Sequence, residues 1–436
     1  MPIAPVSNGA NEQNKILCKE LQFKVLEYET GQVHNGWTIP HKWEVKKALL
    51  KKDGKVIWDG LSHPLATIGY SDSFNGKIDF EELKKHIFYN EKHPDNIVYH
   101  CDFYYKPFLK TWGFSMPFNK FKQLEKGEYE VELETTYEKD TMKVLEYRHE
   151  GESSDTIVFN AHNCHAAQLN DGPAGYAVFM EVMKQLQKRK TKYSYQLVIA
   201  PEHIGTVFYL ANNKEHDKFK QGIFMEMVGH DYPKFALQES FNGDAMIDVI
   251  LHHVLKFNQQ QGRESDYWSD KFRMIVGNDE TVWEAPGFAV PFVSLSRCKT
   301  SEFFFDDYHL DSDNYNLIKD KKMSETFDIV MQIVEIFEKN CYMKRKFKGL
   351  IALSNPEYDL YISPGKDPSI KMTRDEERHK WNYLMDCIPR YFEENMTILD
   401  IAIKHDLYFM DVYNYVKKFV DKRLIEFTLS TNNARM

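Results

Sequence analysis

The sequence predicts an α/β protein: a mostly parallel sheet covered on both faces by helices. Three observations predict it. Short apolar runs alternate with helix-patterned segments between about residues 150 and 260. A β-rich, aromatic stretch precedes them. Three helical patterns and a strand follow a turn-forming stretch at Pro364, Gly365 and Pro368. At 436 residues the chain is also too long for one small core, so two or three domains are expected.

In chain order, residues 1–15 are rich in Asn, Pro and Ser and are predicted to be disordered. Residues 21–28 read as a strand, followed by turn residues Gly31, Asn35 and Gly36. Residues 43–58 carry Asp53-Gly54 at their centre, a dipeptide that tolerates the positive φ of a tight hairpin turn. Residues 80–89 pattern as a short helix. A second hairpin turns at Lys126-Gly127 and leads into an alternating strand at 129–135. Apolar strands then fall at 156–161, 196–200 and 222–228, with helices at 175–188, 206–213 and 244–259. Ligands of such sheets bind at the loops leaving the C-terminal strand ends. Beyond the predicted linker, helices at 374–394, 398–405 and 409–422 and a strand at 424–429 suggest a winged helix.

Composition narrows the function class. A hydrophobic content of 42% and seven Trp belong to an ordinary globular chain. The net charge of -9 argues against a general binder of nucleic acid or anionic membrane, both of which require a positive field. No apolar run approaches the roughly 20 residues that span a bilayer, and residues 1–14 lack the apolar core of a signal peptide. The six cysteines, Cys18, Cys101, Cys164, Cys298, Cys341 and Cys387, form no C-x-x-C pair, which suits reduced thiols in a cytoplasm.

Ionisable residues collect where the predicted strands end. Strand 156–161 runs into His162-Asn163-Cys164-His165 and then Asn170-Asp171 before the next helix. Strand 196–200 runs into Glu202-His203, strand 222–228 carries Glu226, and Tyr308-His309 follows the apolar stretch 288–295. Imidazole and carboxylate are ligands that Zn²⁺ accepts, and four to six converging groups can hold one or two ions. A Glu beside a ligand, not itself bound, can accept a proton from water. A single His at a strand end is usually only a hydrogen-bonded surface residue. Four clusters in register are harder to assign to chance.

With those residues in place the chain resembles the co-catalytic zinc aminopeptidases, whose relatives include glutaminyl cyclases. The order H-x-C-H, N-D-x-x-x-G, P-E-x-I-G, E-M-V-G and Y-H carries the resemblance. It is more similar still to a bacterial family with an aminopeptidase-like domain found near polysaccharide-biosynthesis genes. That similarity extends to Gly36-Trp37-Thr38-Ile39-Pro40, Tyr105-Lys106, Trp112-Gly113-Phe114 and Gly127-Glu128-Tyr129. The resemblance implies a zinc-exopeptidase-type mixed sheet sandwiched by helices at 1–38 and 105–365. It further implies an inserted β-rich domain at 39–104 and a winged helix at 366–436.

Carried over by residue, the resemblance makes His162, Asp171, His203, Glu226 and His309 metal ligands, Asp171 bridging, and Glu202 the general base. His165 becomes an alternative ligand or a substrate contact. Asp279, Arg297 and Glu302 fall where the family forms its substrate pocket, although Arg297 and Glu302 equally suit a surface ion pair. The sequence departs from the pattern at Cys164, which replaces the aspartate orienting the first histidine, so that imidazole needs another partner. It departs again at His203, neutral where a carboxylate ligand is usual, and at Pro173-Ala174-Gly175 and Leu310-Asp311.

The expected function is therefore a zinc hydrolase, with one or two ions, acting on a small peptide or an aminoacyl or N-acyl metabolite. A non-catalytic binding protein on the same scaffold, with the winged helix as partner module, is the alternative, and a homo-oligomer is compatible with either. His216, His230, His405 and the pair His252-His253 have no partner at ligand spacing and read as structural. Between residues 373 and 424, nine Lys and Arg face ten Asp and Glu, which is no footprint for phosphates.

Overall fold

The computed structural model describes residues 2–100, 106, 109–260, 266–362 and 375–428. Cys101, Tyr105 and the predicted linker residues Pro364, Gly365 and Pro368 lie outside the described residues. The chain divides into two compact units: Met1–Ile247 with Asp266–Asp328, and Asp248–Ser265 with Ile329–Met436.

The first unit is built on an eight-stranded mixed sheet. Its centre is parallel, in the spatial order Ser194–Ala200, Thr156–His162, Phe219–Met225, Phe292–Ser296. One flank continues antiparallel through Thr141–His149 and then Lys24–Glu29; on the other, Phe235–Gln238 joins antiparallel and Tyr267–Asp270 pairs parallel to it. Strands Thr156–His162 and Ser194–Ala200 are buried at every position, as expected of strands covered on both faces. Successive side chains point oppositely, so one strand meets two helices. Phe159 stacks on Phe179 of helix Pro173–Leu186, while Val158 joins the cluster containing Phe208 of helix Ile204–Asn212. The result is a large mixed sheet flanked by helices.

Several stretches differ from the sequence reading. Of the stretch 1–15 expected to be disordered, the described residues 2–15 are not a tail: Ser7 caps helix Asn8–Glu20 by accepting the Ala10 N–H, and Ile3, Ala4, Val6, Asn14 and Leu17 are buried. Polar composition masked a segment that packs through small residues. The 80–89 helix shrinks to Phe80–Leu83 and one 3-10 turn, because Ile87-Phe88 pairs as a strand with Phe114-Ser115. The third core strand ends at Met225, which places Glu226 just beyond the ladder. The flanking strands Thr141–His149, Phe235–Gln238 and Tyr267–Asp270 had no counterpart in the reading.

In the smaller four-stranded sheet, Lys55–Asp59 pairs with Lys42–Lys52, and Glu128–Glu138, beyond the expected limit at 104, pairs between Lys42–Lys52 and Phe74–Asp79. Its hairpin turns at Asp53 and Gly54, both at positive φ.

In the second unit, Asp375–Cys387, Ile398–Lys404 and Phe409–Asp421 are helices. A three-stranded sheet of Glu393–Thr397, Tyr342–Arg345 and Ile425–Thr428 accompanies them. The first helix stops before the predicted 394 because Pro389 lacks the N–H a continuing helix requires. His253, read as structural, is buried here and accepts the Phe409 N–H through Nε2. No helix among the described residues is long and apolar enough to cross a membrane.

Candidate metal centre

Three core strands deliver their ionisable residues to one place. His162 terminates its strand fully buried, and its Nε2 lies 3.1 Å from Asp171 Oδ1 and 2.8 Å from Glu226 Oε2. Asp171 sits in the turn before helix Pro173–Leu186. Gly172 follows at φ 101, and any side chain on it would strike the His162 ring, with a Cβ 2.8 Å from the imidazole. Glu226 is further held by the Asn278 side-chain amide at 2.9 Å.

The second oxygen of Asp171 faces the other way. Oδ2 is 3.1 Å from His309 Nε2 and 4.0 Å from His165 Nε2. Two groups of potential ligands therefore share one carboxylate: His162, Asp171 and Glu226, and His165, Asp171 and His309. Asp171 Oδ2 and His309 Nε2 are closed to solvent, yet neither makes a hydrogen bond among the described residues despite their 3.1 Å separation. Buried polar atoms are nearly always satisfied. A cation between these lone pairs would satisfy both, so the donor set fits a metal ion.

Charge follows the same geometry. Burial alone would raise the Asp171 carboxyl, but the His165, His162 and His309 imidazoles hold it well below the usual carboxylate range. Burial pushes Glu226 up to about 7, reinforced by the negative Asp171 and Glu202. Burial takes His165 down to about 4, a neutral imidazole at pH 7 and thus the form that binds metals. His162 is opposed by burial yet held well above its usual value by Asp171, Cys164 and Glu226.

The missing orienting aspartate finds no substitute at the first histidine, whose Nδ1 is buried without a hydrogen bond among the described residues, and Cys164 turns to His165 instead. Its Sγ lies 3.3 Å from His165 Nδ1 and accepts the Glu202 N–H at 3.3 Å, and it is grouped with both His162 and His165. With Nδ1 turned to the thiol, His165 presents Nε2 to Asp171 and to Glu202 Oε2, 3.6 Å away. Glu202 itself joins neither triad.

The remaining expected site residues fare differently. His203 lies outside both triads. Its backbone turns left-handed at φ 54, its ring stacks on Trp37, and its Nδ1 approaches Glu202 Oε1 at 3.4 Å. Asp279, expected to bind substrate, is fully buried and holds that turn, accepting the His203 N–H and, at 2.6 Å, the Thr206 hydroxyl. Arg297, also expected to bind substrate, has no exposure at all. It lies over the Phe235 ring, donates to the carbonyls of Val228, Tyr232 and Pro233, and pairs with Glu325 at 2.8 Å. Removing one partner of such a buried pair costs about 3–5 kcal/mol, so Arg297 is a structural residue. Glu302 is exposed in a surface turn and touches neither Arg297 nor the triads. The surface ion pair of Arg297 with Glu302 is not formed.

Other residues of the site went unnoticed in the sequence. The Asp313 carboxylate accepts the N–H groups of Asn170 and Asp171 at 2.7 and 3.1 Å and so fixes the shared carboxylate. Tyr99, from the β-rich region, sets its ring 5.0 Å from His165 and 5.1 Å from His309, and donates its N–H to the His309 carbonyl at 2.7 Å. Asp313 stands four residues past His309 in an acidic run, which is a weak signal. Tyr99 offers none.

Known proteins share this architecture. Over 405 residues, 92% of this chain and 88% of the other, the sequence is 29% identical to a Clostridium acetobutylicum protein. That protein is named as a candidate polysaccharide biosynthesis protein with an aminopeptidase-like domain. The crystal structure of a candidate peptidase from Clostridium acetobutylicum superposes with a TM-score of 0.81 at 24% identity, covering 98% of this chain and 93% of that one. A zinc aminopeptidase of Bacillus subtilis superposes more loosely, with a TM-score of 0.56 at 11% identity over 76% of this chain and 89% of that one. The fold is thus aminopeptidase-like, as the resemblance implies. Residues 4–340 match, over most of the chain's length, a family described as a domain of unknown function, DUF4910, and to that family this protein belongs.

Proposed function

We propose that the protein is a zinc-dependent hydrolase, aminopeptidase-like or an amidase, that cleaves an amide bond of a small peptide or an aminoacyl or N-acyl metabolite. The observation that carries this reading is Asp171, with one oxygen turned to each triad. His162, Asp171 and Glu226 would hold one ion, and His165, Asp171 and His309 a second. Three protein ligands with an open position is the pattern of a catalytic zinc site. His165 thereby replaces His203 as the ligand expected beside the base.

Bound there, zinc supplies Lewis acidity, acidifying water and polarising the scissile carbonyl. The chain's own residues do the rest. Glu202, beside the second triad but outside it, takes the proton from the attacking water and delivers it to the leaving amine. Cys164 keeps His165 in the tautomer that presents Nε2. The relative's name, with its reference to polysaccharide biosynthesis, makes an aminoacyl or N-acyl sugar a substrate to include.

Glu202→Gln is expected to lower turnover of a responsive amide by about 10²–10⁴-fold with metal content unchanged. The measurement is zinc analysis of the purified protein beside a panel of aminoacyl and N-acyl amides. Zinc-loaded protein inert towards every amide, with the Gln variant indistinguishable, would leave the alternative: a binding protein on a peptidase scaffold. The same proposal has the protein act in the cytoplasm and its C-terminal helices and sheet form a winged helix. The near balance of charge there favours a protein contact over DNA.

A further inference from the structure

A cavity of about 670 Å³ opens beside His203, within the size range of small-molecule sites. Trp37, Val207, Val282 and Phe288 give it apolar walls, and Arg273 supplies its cation. Neither triad lines it. His203 forms the partition: one side of the residue stacks on Trp37, and Nδ1 stands 3.4 Å from Glu202 Oε1. The reacting centre is therefore one side chain away from the cavity.

Arg273 is placed there by the backbone. Its φ is 64, and its guanidinium fills the notch left by Gly277, where a Cβ would stand 1.6 Å from Nη1. Any larger residue at 277 would evict it. The guanidinium donates no hydrogen bond to another described residue. Its one ion pair among the described residues, with Glu280, is stretched to 3.9 Å, while the oxygens of Glu280 accept from the Asn278 N–H and the Gln238 amide. The planar donor fork that suits a carboxylate is thus left uncommitted. Asn35, His203 and Arg273 all line the cavity and all hold left-handed backbone. Such strain in non-glycine residues gathers at functional sites, where the surrounding structure enforces it.

We propose that this cavity is a recognition pocket for an apolar acyl or aryl group ending in a carboxylate, which Arg273 receives while the apolar body lies against Trp37 and Phe288. That this group belongs to a substrate rests on the hydrolase reading; its binding here does not.

Isothermal titration of the zinc-loaded, full-length protein with 4-phenylbutyrate and its neutral analogue 4-phenylbutanol tests the pocket. The carboxylate is expected to bind about tenfold more tightly than the alcohol, from one charge-assisted contact. Arg273→Gln abolishes that preference and leaves alcohol binding unchanged, Arg273→Lys restores part of it, and Trp37→Ala weakens both probes. A preference that survives Arg273→Gln would mean that the carboxylate sits on the metal instead, and the pocket assignment would be wrong. Failure of both probes to bind overturns it equally. Inert amides beside an intact Arg273-dependent preference would sink the hydrolase reading alone, and amide turnover without that preference the pocket alone.

Discussion

The two sides of Asp171 are built differently. Towards Oδ1, His162 and Glu226 sit at or just past the ends of neighbouring core strands, at 0% and 1% exposure, with contacts of 3.1 and 2.8 Å. Towards Oδ2, His165 and His309 sit on loops, His309 at φ 57, with contacts of 4.0 and 3.1 Å. A strand end inherits its position from the ladder. A loop must be braced, and here aromatic rings do it: Tyr99 flanks both imidazoles and Tyr308 stacks on His309 at 3.9 Å. On the proposed reading, an ion on the strand side would be held tightly and one on the loop side more weakly.

That contrast can be broken or sharpened by substitution. Asp171→Asn removes the charge common to both sides, and zinc analysis is expected to find less than about a tenth of the wild-type content in a folded protein, since each site loses its shared anionic ligand. Retention of half or more would mean the triads do not depend on that carboxylate. His165→Gln should remove only the weaker ion, while Glu226→Gln should remove the tighter one, as read by competition with a chromogenic chelator. Loss of both ions in His165→Gln would make the two sides one unit. The smallest effect is expected from Asp313→Ala, which releases the backbone beneath Asp171. Zinc affinity should fall about 10–100-fold with stoichiometry intact at saturating metal, and an unchanged affinity would show the turn is held without it.

The same contrast explains what the sequence made legible. Fully apolar runs with ionisable residues at their ends located His162, Glu202 and Glu226, because strand periodicity fixes where a ladder stops. The loop half has no such periodicity. Adjacent residues give no hint that His165 turns into the centre while His203 turns out to Trp37. Burial of a charge is equally invisible: Arg297 finds Glu325 on the helix Asp320–Lys339, which the pattern did not foresee. The missed strand Thr141–His149 did leave a trace, since Met142 and Val144 are buried on either side of Lys143.

The opening residues of the chain have a consequence for the order of events in folding. Val6 accepts the Trp43 N–H, Asn14 receives the Asn163 amide, and Gln13 donates to the Tyr176 hydroxyl. Ile3 and Ala4 share a cluster with Tyr99 and with Ala166, the neighbour of His165. Contacts so distant in sequence form late, after the loops between them have closed. Residues 3–14 must therefore wait until residue 176 has been made before they can settle, and they complete the packing around Ala166, beside His165.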